Sequence, residues 1–246
     1  MDIMQAVSKR ISCRAFDPHD VEPGLLDQLE ACIAKGNEAG GLDMRLVRPQ
    51  DGGAGLKLAG AMFSGQPSTY VVAFAPADEQ SRDRLGYYSE KVILLATQLG
   101  LGTCWVAGTY DKSSVAAQPM AGHELHGVIP VGYPAAKTPL KQRTVRAALR
   151  KRSKKPVELY EGYETAPAWV RAGVDAVIAG PSAVNGMPVV FEDAPDGIAA
   201  TLPKVKSGIE LIDLGIAKLH FELGAKDAGT EGSWSWGAGG VFTTQQ

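Results

Sequence analysis

A chain of 246 residues, 45% hydrophobic and 21% charged, has the composition of a globular protein and is long enough to bury a full core. Its formal net charge of −2 provides no overall positive field for nucleic acid or an anionic membrane surface. It has no run of eighteen apolar residues, and its amino-terminal stretch lacks the apolar core of a signal peptide, so we expect a cytoplasmic protein outside the membrane.

The cysteines and histidines indicate neither a disulfide framework nor a metal site. The cysteines are odd in number and lack a C-x-x-C pair, which favours reduced thiols; they are Cys13, Cys32 and Cys104. The histidines are dispersed, and no acidic or cysteine cluster completes a ligand set around them; they are His19, His123, His126 and His220. We therefore expect no bound metal.

The first half of the chain contains patterns typical of both helices and strands. Helical spacing of apolar residues, with Pro23 in a first turn and Gly100 after a last turn, marks two helices, and period-two alternation marks strands. The predicted elements are a helix over 23–35, strands over 42–48 and 69–74, a helix over 87–99, a short β-rich run over 102–108 and a strand over 127–134.

The second half repeats this order. It predicts a helix over 168–179, a strand over 187–192 and a long helix over 209–223, followed by the segment GTEGSWSWG. Helix, strand, long helix and a glycine-rich segment with tryptophan thus occur twice, which predicts a structural duplication. We expect two related halves, 1–155 and 156–246, that together form one compact unit.

A densely basic segment, residues 137–155, lies between the halves. This composition fits three alternatives: a solvated helical linker, a nucleic-acid-binding patch, or a counter-charge for a phosphate. Lys141 and Arg143 are two residues apart and can share one side of an extended segment.

A second basic cluster lies near the amino terminus. Arg10, Ser12 and Arg14 alternate, so an extended chain would direct all three side chains to one side. Two guanidiniums and a hydroxyl on one face can donate hydrogen bonds to phosphate and carbonyl oxygens. Taken alone, a stretch this short is more typical of an exposed basic strand end.

Two segments rich in turn residues could contact a planar ligand. The turn PSAVN, residues 181–185, follows a helix, and such a turn usually satisfies backbone groups. The functional alternative is that its backbone amides and Asn185 lie along a ring. The glycines of the segment 100–108 would let a ring approach the backbone closely.

In combination these motifs resemble the nitroreductase family of flavoproteins. The matching segments cover nearly the whole chain: R-x-S-x-R-x-F (10–16), LGLGTCW-x-x-G (99–108), V-G-Y-P (131–134), K-x-R (141–143) and P-S-x-x-N (181–185). The resemblance implies an α+β fold with antiparallel strands in its sheets and two pseudo-symmetric halves. It also implies FMN as cofactor and NADH or NADPH as transient donor. Residues 209–234 resemble the TM nitroreductase branch, in which one chain imitates the usual homodimer.

The order of the motifs differs from that of an ordinary family member. There the P-S-x-x-N turn follows the first helix, where this chain has AKGNEAGG over 34–41. The corresponding lead-in of the second half, GYETAPAW over 162–169, lacks a basic motif. These complementary losses predict one FMN site and one degenerate site per chain, and a monomer that needs no partner subunit.

The resemblance implies a role for each matching basic residue. Arg10, Ser12 and Arg14 would bind the phosphate, ribityl and pyrimidine oxygens of FMN. Lys141 and Arg143 would add positive charge at the phosphate.

The resemblance also implies two walls around the flavin ring. The backbone around Ala107 and Gly108 would face the flavin N5. The second half would cover the ring with Pro181, Ser182, Ala183 and Asn185. Met187 and Val189 stand where the family often has a glutamine and a larger aromatic residue, so this wall departs from the usual pattern.

The implied reaction passes hydride from NAD(P)H through the flavin N5 to a small electron-poor acceptor. It requires no catalytic side chain, and Cys104 and the tryptophans at 105, 234 and 236 are more typical of packed residues. Two alternatives remain open: a flavin-binding module without turnover, and a polyanion binder that uses residues 137–155. We expect no nucleic-acid partner, because no aromatic residues interleave the basic run.

Overall fold

The computed structural model describes residues 1–51, 56–60, 62–137, 139, 144 and 153–245. These residues form helices and antiparallel strands, which confirms the α+β class. The helices are α1 (Ile3–Lys9), α2 (Pro23–Gly40), α3 (Glu79–Gln98), α4 (Pro156–Leu159), α5 (Ala168–Ala179) and α6 (Ile209–Asp227). The strands are β1 (Asp43–Val47), β2 (Thr69–Ala75), β3 (Gly102–Thr103), β4 (Glu124–Gly132), β5 (Val190–Ala194), β6 (Gly197–Thr201), β7 (Gly232–Trp234) and β8 (Gly240–Thr244).

The chain forms two compact units, each assembled from segments that are separate in sequence. The first unit comprises Met1–Arg10, Asp78–Glu90 and Ala148–Gln246, and the second comprises Ile11–Ala77 and Lys91–Ala147. Helix α3 therefore begins in the first unit and continues into the second. The duplication and its boundary at residue 155 stay predictions.

The second unit is built on an antiparallel sheet with the strand order β1-β2-β4-β3. All seven residues of β2 are buried, because the sequence TYVVAFA is apolar on both faces of the strand. Its side chains join an apolar cluster that includes Phe16, Tyr70, Phe74 and Val128.

The first unit contains a second antiparallel sheet, with the order β5-β6-β8-β7. Counted from its own first strand, this order is the same as in the other sheet. Its core is aromatic: the Phe191 and Phe221 rings stack with centroids 4.9 Å apart, and Phe242 lies 5.3 Å from Trp234. Trp234 also donates its indole N–H to the carbonyl of Lys218, so it packs in the core as expected.

Glycines allow α6 to pack closely against two other helices of the first unit. A methyl group on Gly215 would overlap the backbone carbonyl of Asp83 in α3, and one on Gly224 would overlap that of Ala172 in α5. Helix packing at this distance requires residues without a side chain where the backbones meet.

The same helix contact contains a buried ion pair. Lys218 Nζ lies 2.5 Å from Asp83 Oδ2, and both side chains are fully buried. Lys218 also donates to the carbonyls of Ser235 and Gly237, at 3.0 and 2.9 Å. Burial raises the pKa of Asp83 to about 6 and lowers that of Lys218, while their contact acts in the opposite direction. The contact ties α3, α6 and the β7–β8 connection together.

Three predicted helices are longer in the structure, and α6 continues through Gly224 to Asp227 instead of ending at 223. Helix α2 continues beyond residue 35 to Gly40, because Asn37 exchanges two hydrogen bonds with Met44 and Gly41 ends the helix in a left-handed conformation, with φ of 63°. Helix α3 begins eight residues before 87, because Asp78 caps its first turn by accepting the N–H of Ser81.

The second sheet was only partly predicted. The strand expected over 187–192 is shifted to Val190–Ala194, because residues 183–187 form a turn. Strands β6 and β8 were missed, since GIAAT and GVFTT are short and weakly alternating. Most of the basic segment 137–155 lies outside the described residues. Within the described part of the chain, no helix combines the length and apolarity needed to cross a membrane.

The close contact of α6 with α3 predicts a strong effect of one methyl group. Gly215→Ala should lower the free energy of unfolding by about 3 kcal/mol or more, because two helix backbones must separate. The matched control is Gly24→Ala in α2, where a Cβ would meet no atom within 4 Å in the part of the chain that the structure describes. We expect this change to be neutral or stabilising by up to about 1 kcal/mol. Chemical denaturation measures both, and similar values for the two variants would contradict the packing described.

Candidate functional site

Residues 11–16 are extended and pair with the glycine-rich segment in the second unit. Ser12 forms a parallel bridge with Thr103, and Cys13 N–H donates to the Thr103 carbonyl at 2.8 Å. A Cβ on Gly102 would lie 2.7 Å from the Cys13 side chain, so this approach requires glycine. Two motifs 90 residues apart in the sequence, R-x-S-x-R and GTCW, are therefore direct neighbours.

Side chains alternate along this extended segment. Cys13 and Ala15 are buried, whereas Ser12 and Arg14 are partly exposed and lie on the opposite side. Burial raises the pKa of the Cys13 thiol to about 11, so the thiol stays protonated at neutral pH. The segment therefore has a partly exposed hydroxyl and guanidinium, and its buried thiol is not a nucleophile at neutral pH.

The predicted N5 wall follows a fixed strand contact. Val106 exchanges two backbone hydrogen bonds of 2.9 Å with Val128 of β4. After it, Ala107 is half-buried and Gly108 is exposed, and no atom of the described residues lies within 4 Å of the place where a Gly108 Cβ would be. The backbone at Gly108 is therefore open to a planar group.

The P-S-x-x-N turn lies in the first unit and has an unusual backbone. Residues Ala183–Asn185 form a short 3-10 turn, and Val184, Asn185 and Met187 have positive φ angles of 48°, 55° and 42°. Such conformations cost roughly 1 kcal/mol or more each in residues other than glycine and persist where the surroundings fix them.

Most backbone N–H groups of this turn already have acceptors inside the first unit. Asn185 N–H donates to the carbonyl of Ser182, Gly186 N–H to that of Ala183, and Met187 N–H to Ser182 Oγ. The Asn185 side-chain amide donates to Ser153 Oγ at 3.1 Å. What the turn can offer to a ligand is therefore its side chains and its outer surface rather than these N–H groups.

A buried aspartate on helix α6 accepts a hydrogen bond from the first residue of the 3-10 turn. Ala183 N–H lies 2.9 and 3.1 Å from the two carboxylate oxygens of Asp213 on α6. Burial raises the pKa of Asp213 to about 7; the Ala183 N–H acts to lower it and Glu210 to raise it. Asp213 thus fixes the start of the turn, a role that was not predicted from the sequence.

A narrow depression lies between the turn and helix α6. Its wall is mostly apolar, and its polar members are Ser182, Asp213 and His220. The apolar part is formed by Leu159, Val177, Pro181, Met187, Pro188, Val189, Ile216 and Ala217.

Arg10 is the third predicted ligand group and lies in the first unit, where it follows α1. Its Nε lies 3.7 Å from Glu90 Oε1, and its side chain is 11% exposed. Glu90 in turn contacts His220 on α6. The structure thus joins Arg10 to a buried pair that sequence reasoning missed. Lys141 and Arg143 lie outside the described residues, so their proposed contacts stay predictions.

The raised pKa of Asp213 predicts a pH dependence of stability. The folded protein holds this proton to about pH 7 while the unfolded chain releases it near pH 4, so stability falls as the pH rises between these values. Asp213→Asn removes this titration and keeps an acceptor for Ala183. Relative to the variant, the wild type should lose roughly 3 to 4 kcal/mol of unfolding free energy between pH 4 and 8.

Denaturant unfolding at several pH values measures this difference, with Asp196→Asn at an exposed position as the control. The control should follow the wild-type pH profile. Parallel profiles for the wild type and Asp213→Asn would show that Asp213 titrates normally in the folded protein.

Comparison with known proteins identifies the family. A model described as “Putative TM nitroreductase” matches residues 2–225. The solved structure of a “putative nitroreductase” from Thermotoga maritima MSB8 is 20% identical, covers 99% of this chain and 93% of its own, and has a TM-score of 0.64, which shows the same fold. A nitroreductase with bound FMN from Bacteroides fragilis NCTC 9343 is 17% identical over 57% of this chain and 92% of its own, and its TM-score of 0.42 carries no structural argument. The comparison with curated proteins gives no match. Because the family model spans nearly the whole chain, this protein belongs to the family described as “Putative TM nitroreductase”.

Proposed function

We propose that this protein is an FMN-dependent oxidoreductase that takes hydride from NADH or NADPH and passes it to a small electron-poor acceptor. The observation that carries the proposal is the pairing of Ser12 and Cys13 with Thr103. This pairing brings the backbone of the basic motif beside the glycine-rich segment that the family resemblance assigns to the flavin.

The residues of the second unit fit the polar edge and one face of such a cofactor. Ser12 and Arg14 lie on the partly exposed side of their segment, where Arg14 would face phosphate or pyrimidine oxygens with several donors. Gly108 leaves open space beside its backbone, which would let the ring approach. When bound, FMN would supply the hydride acceptor, so no nucleophilic side chain is needed.

We propose that residues of the first unit contribute one further positive charge and a surface that lies against the flavin ring. Arg10 would bind an anionic group of the cofactor. The outer surface of Pro181, Ser182 and Ala183, together with the Asn185 side chain, would lie along the ring. Lys141 and Arg143 are proposed to add positive charge at the phosphate.

We propose that one chain is sufficient to bind FMN without a partner subunit. Each motif that the family resemblance requires occurs once in the sequence, with the basic motif in the first half and the P-S-x-x-N turn in the second. A monomer would therefore contain every proposed FMN contact.

FMN binding tests the proposal directly. Titration of the purified protein with FMN, followed by the visible flavin spectrum, should show saturable binding. Arg14→Ala should weaken it by about tenfold or more, because a charge-assisted hydrogen bond to an anion is lost. Lys35→Ala removes one positive charge from an exposed position on α2 and should bind FMN as the wild type does. Absence of binding to the wild type would refute the proposed function.

Turnover distinguishes an enzyme from a flavin-binding module. Anaerobic addition of NADH or NADPH to the FMN-loaded protein should bleach the flavin within seconds to minutes, and an added quinone or nitro compound should restore the colour. A stable oxidised spectrum with both donors would favour the module. Salt-sensitive retention on a polyanion resin, without FMN binding, would instead favour the polyanion binder.

A further inference from the structure

The P-S-x-x-N turn contains a residue whose backbone conformation is unfavourable for its side chain. Val184 has φ of 48° and ψ of 23°, in the left-handed helical region. The Cβ is crowded against the following carbonyl in this region, and a β-branched residue is a rare outlier there. Glycine or asparagine adopts the same conformation at a smaller cost. The backbone of the turn therefore does not explain why this residue is a valine.

Burial within the protein does not explain the valine either. Val184 is 67% exposed, the highest value among the exposed large hydrophobic residues of the described chain. A single exposed apolar residue is common on protein surfaces and needs no special account. An exposed valine in a left-handed conformation is different, because little burial offsets the strain.

Contacts on both sides of Val184 hold the backbone of the turn in place. Ala183 N–H lies 2.9 and 3.1 Å from the two carboxylate oxygens of the buried Asp213. On the other side, Met187 N–H donates to Ser182 Oγ at 3.0 Å. None of these bonds uses the Val184 side chain, so the turn should keep its conformation with another residue at this position.

The position of Val184 in the turn is consistent with a contact to a ligand. It stands between Ala183 and Asn185, which are both proposed to lie along the flavin ring. The faces of that ring system are flat and largely apolar, so an apolar side chain against one of them removes water from both surfaces. Strained residues cluster at ligand sites, where the surroundings fix them. A flavin face would therefore account for both the exposure and the residue type.

We propose that Val184 is an apolar contact of the flavin ring, presented by a strained turn that Asp213 and Ser182 hold in place. Without FMN, the valine lowers the stability of the fold. With FMN bound, its burial against the ring offsets this loss. Because the contact requires a bound flavin, it rests on the proposed function. It adds one binding residue to those that the family resemblance implies.

Two substitutions test whether Val184 serves the fold or the complex. Val184→Gly and Val184→Asn both remove the apolar side chain and suit the left-handed conformation, and asparagine does so without the added chain flexibility of glycine. Both should raise the urea midpoint of unfolding of the FMN-free protein by about 0.3 M, because the strain is relieved. Both should weaken FMN binding by about threefold or more, because the apolar contact is lost.

Val205→Gly is the matched control. Val205 is also an exposed valine of the first unit, at 52%, but its φ is not positive. Glycine at this position relieves no strain and adds freedom to the unfolded chain, so the urea midpoint should stay unchanged or fall. FMN binding should stay within about twofold of the wild type. If this control weakened FMN binding as much as Val184→Gly does, the effect would not be specific to the turn, and the proposal would be overturned.

The measurements on the Val184 variants can also overturn the proposal. FMN binding within about threefold of the wild type by either variant would show that the valine makes no contact with the ring. An unchanged or lower urea midpoint in both variants would show that the valine stabilises the fold. These results differ from a failure of the proposed function, in which the wild type itself would bind no FMN.

Discussion

Helix α6 is buried on nearly all sides, so the packing of the first unit must provide partners for its buried polar side chains. Unpaired charges inside a protein are strongly destabilising, so each one requires a partner from another element. Lys218 pairs with Asp83 of α3 and two carbonyls of the β7–β8 connection, Asp213 accepts the N–H of Ala183, and His220 contacts Glu90. These contacts fix α6 against α3 and against the turn that begins at Pro181.

The proposed chemistry follows from the same contacts. Asp213 sets the position at which the turn begins, and His220 contacts the Glu90 carboxylate that lies beside Arg10. The second unit contributes by a different means, since the backbone of residues 12–13 pairs with Thr103 and leaves Ser12 and Arg14 partly exposed. The segments proposed to contact FMN are thus positioned by residues that are not proposed to contact it, such as Asp213 and Thr103.

The sequence predicted the local elements better than the contacts between them. Helix 168–179 has the predicted bounds because its apolar spacing is regular, whereas α2 and α3 extend further through side-chain bonds of Asn37 and Asp78 that periodicity does not show. The motifs that resemble the nitroreductase family could be recognised from local order. Glu90 and His220 could not, because they are 130 residues apart in the sequence and meet only after packing. One signal was present: charged and polar residues within the otherwise apolar helix α6 indicate buried partners.

We propose that this chain binds FMN through its amino-terminal basic motif. A crystal structure of the protein grown with FMN tests it most directly. We expect FMN with its phosphate or pyrimidine oxygens within hydrogen-bond distance of Arg10, Ser12 or Arg14. The proposal would be contradicted if crystals grown at a saturating FMN concentration contained no FMN. It would also be contradicted if the bound FMN contacted none of these three side chains.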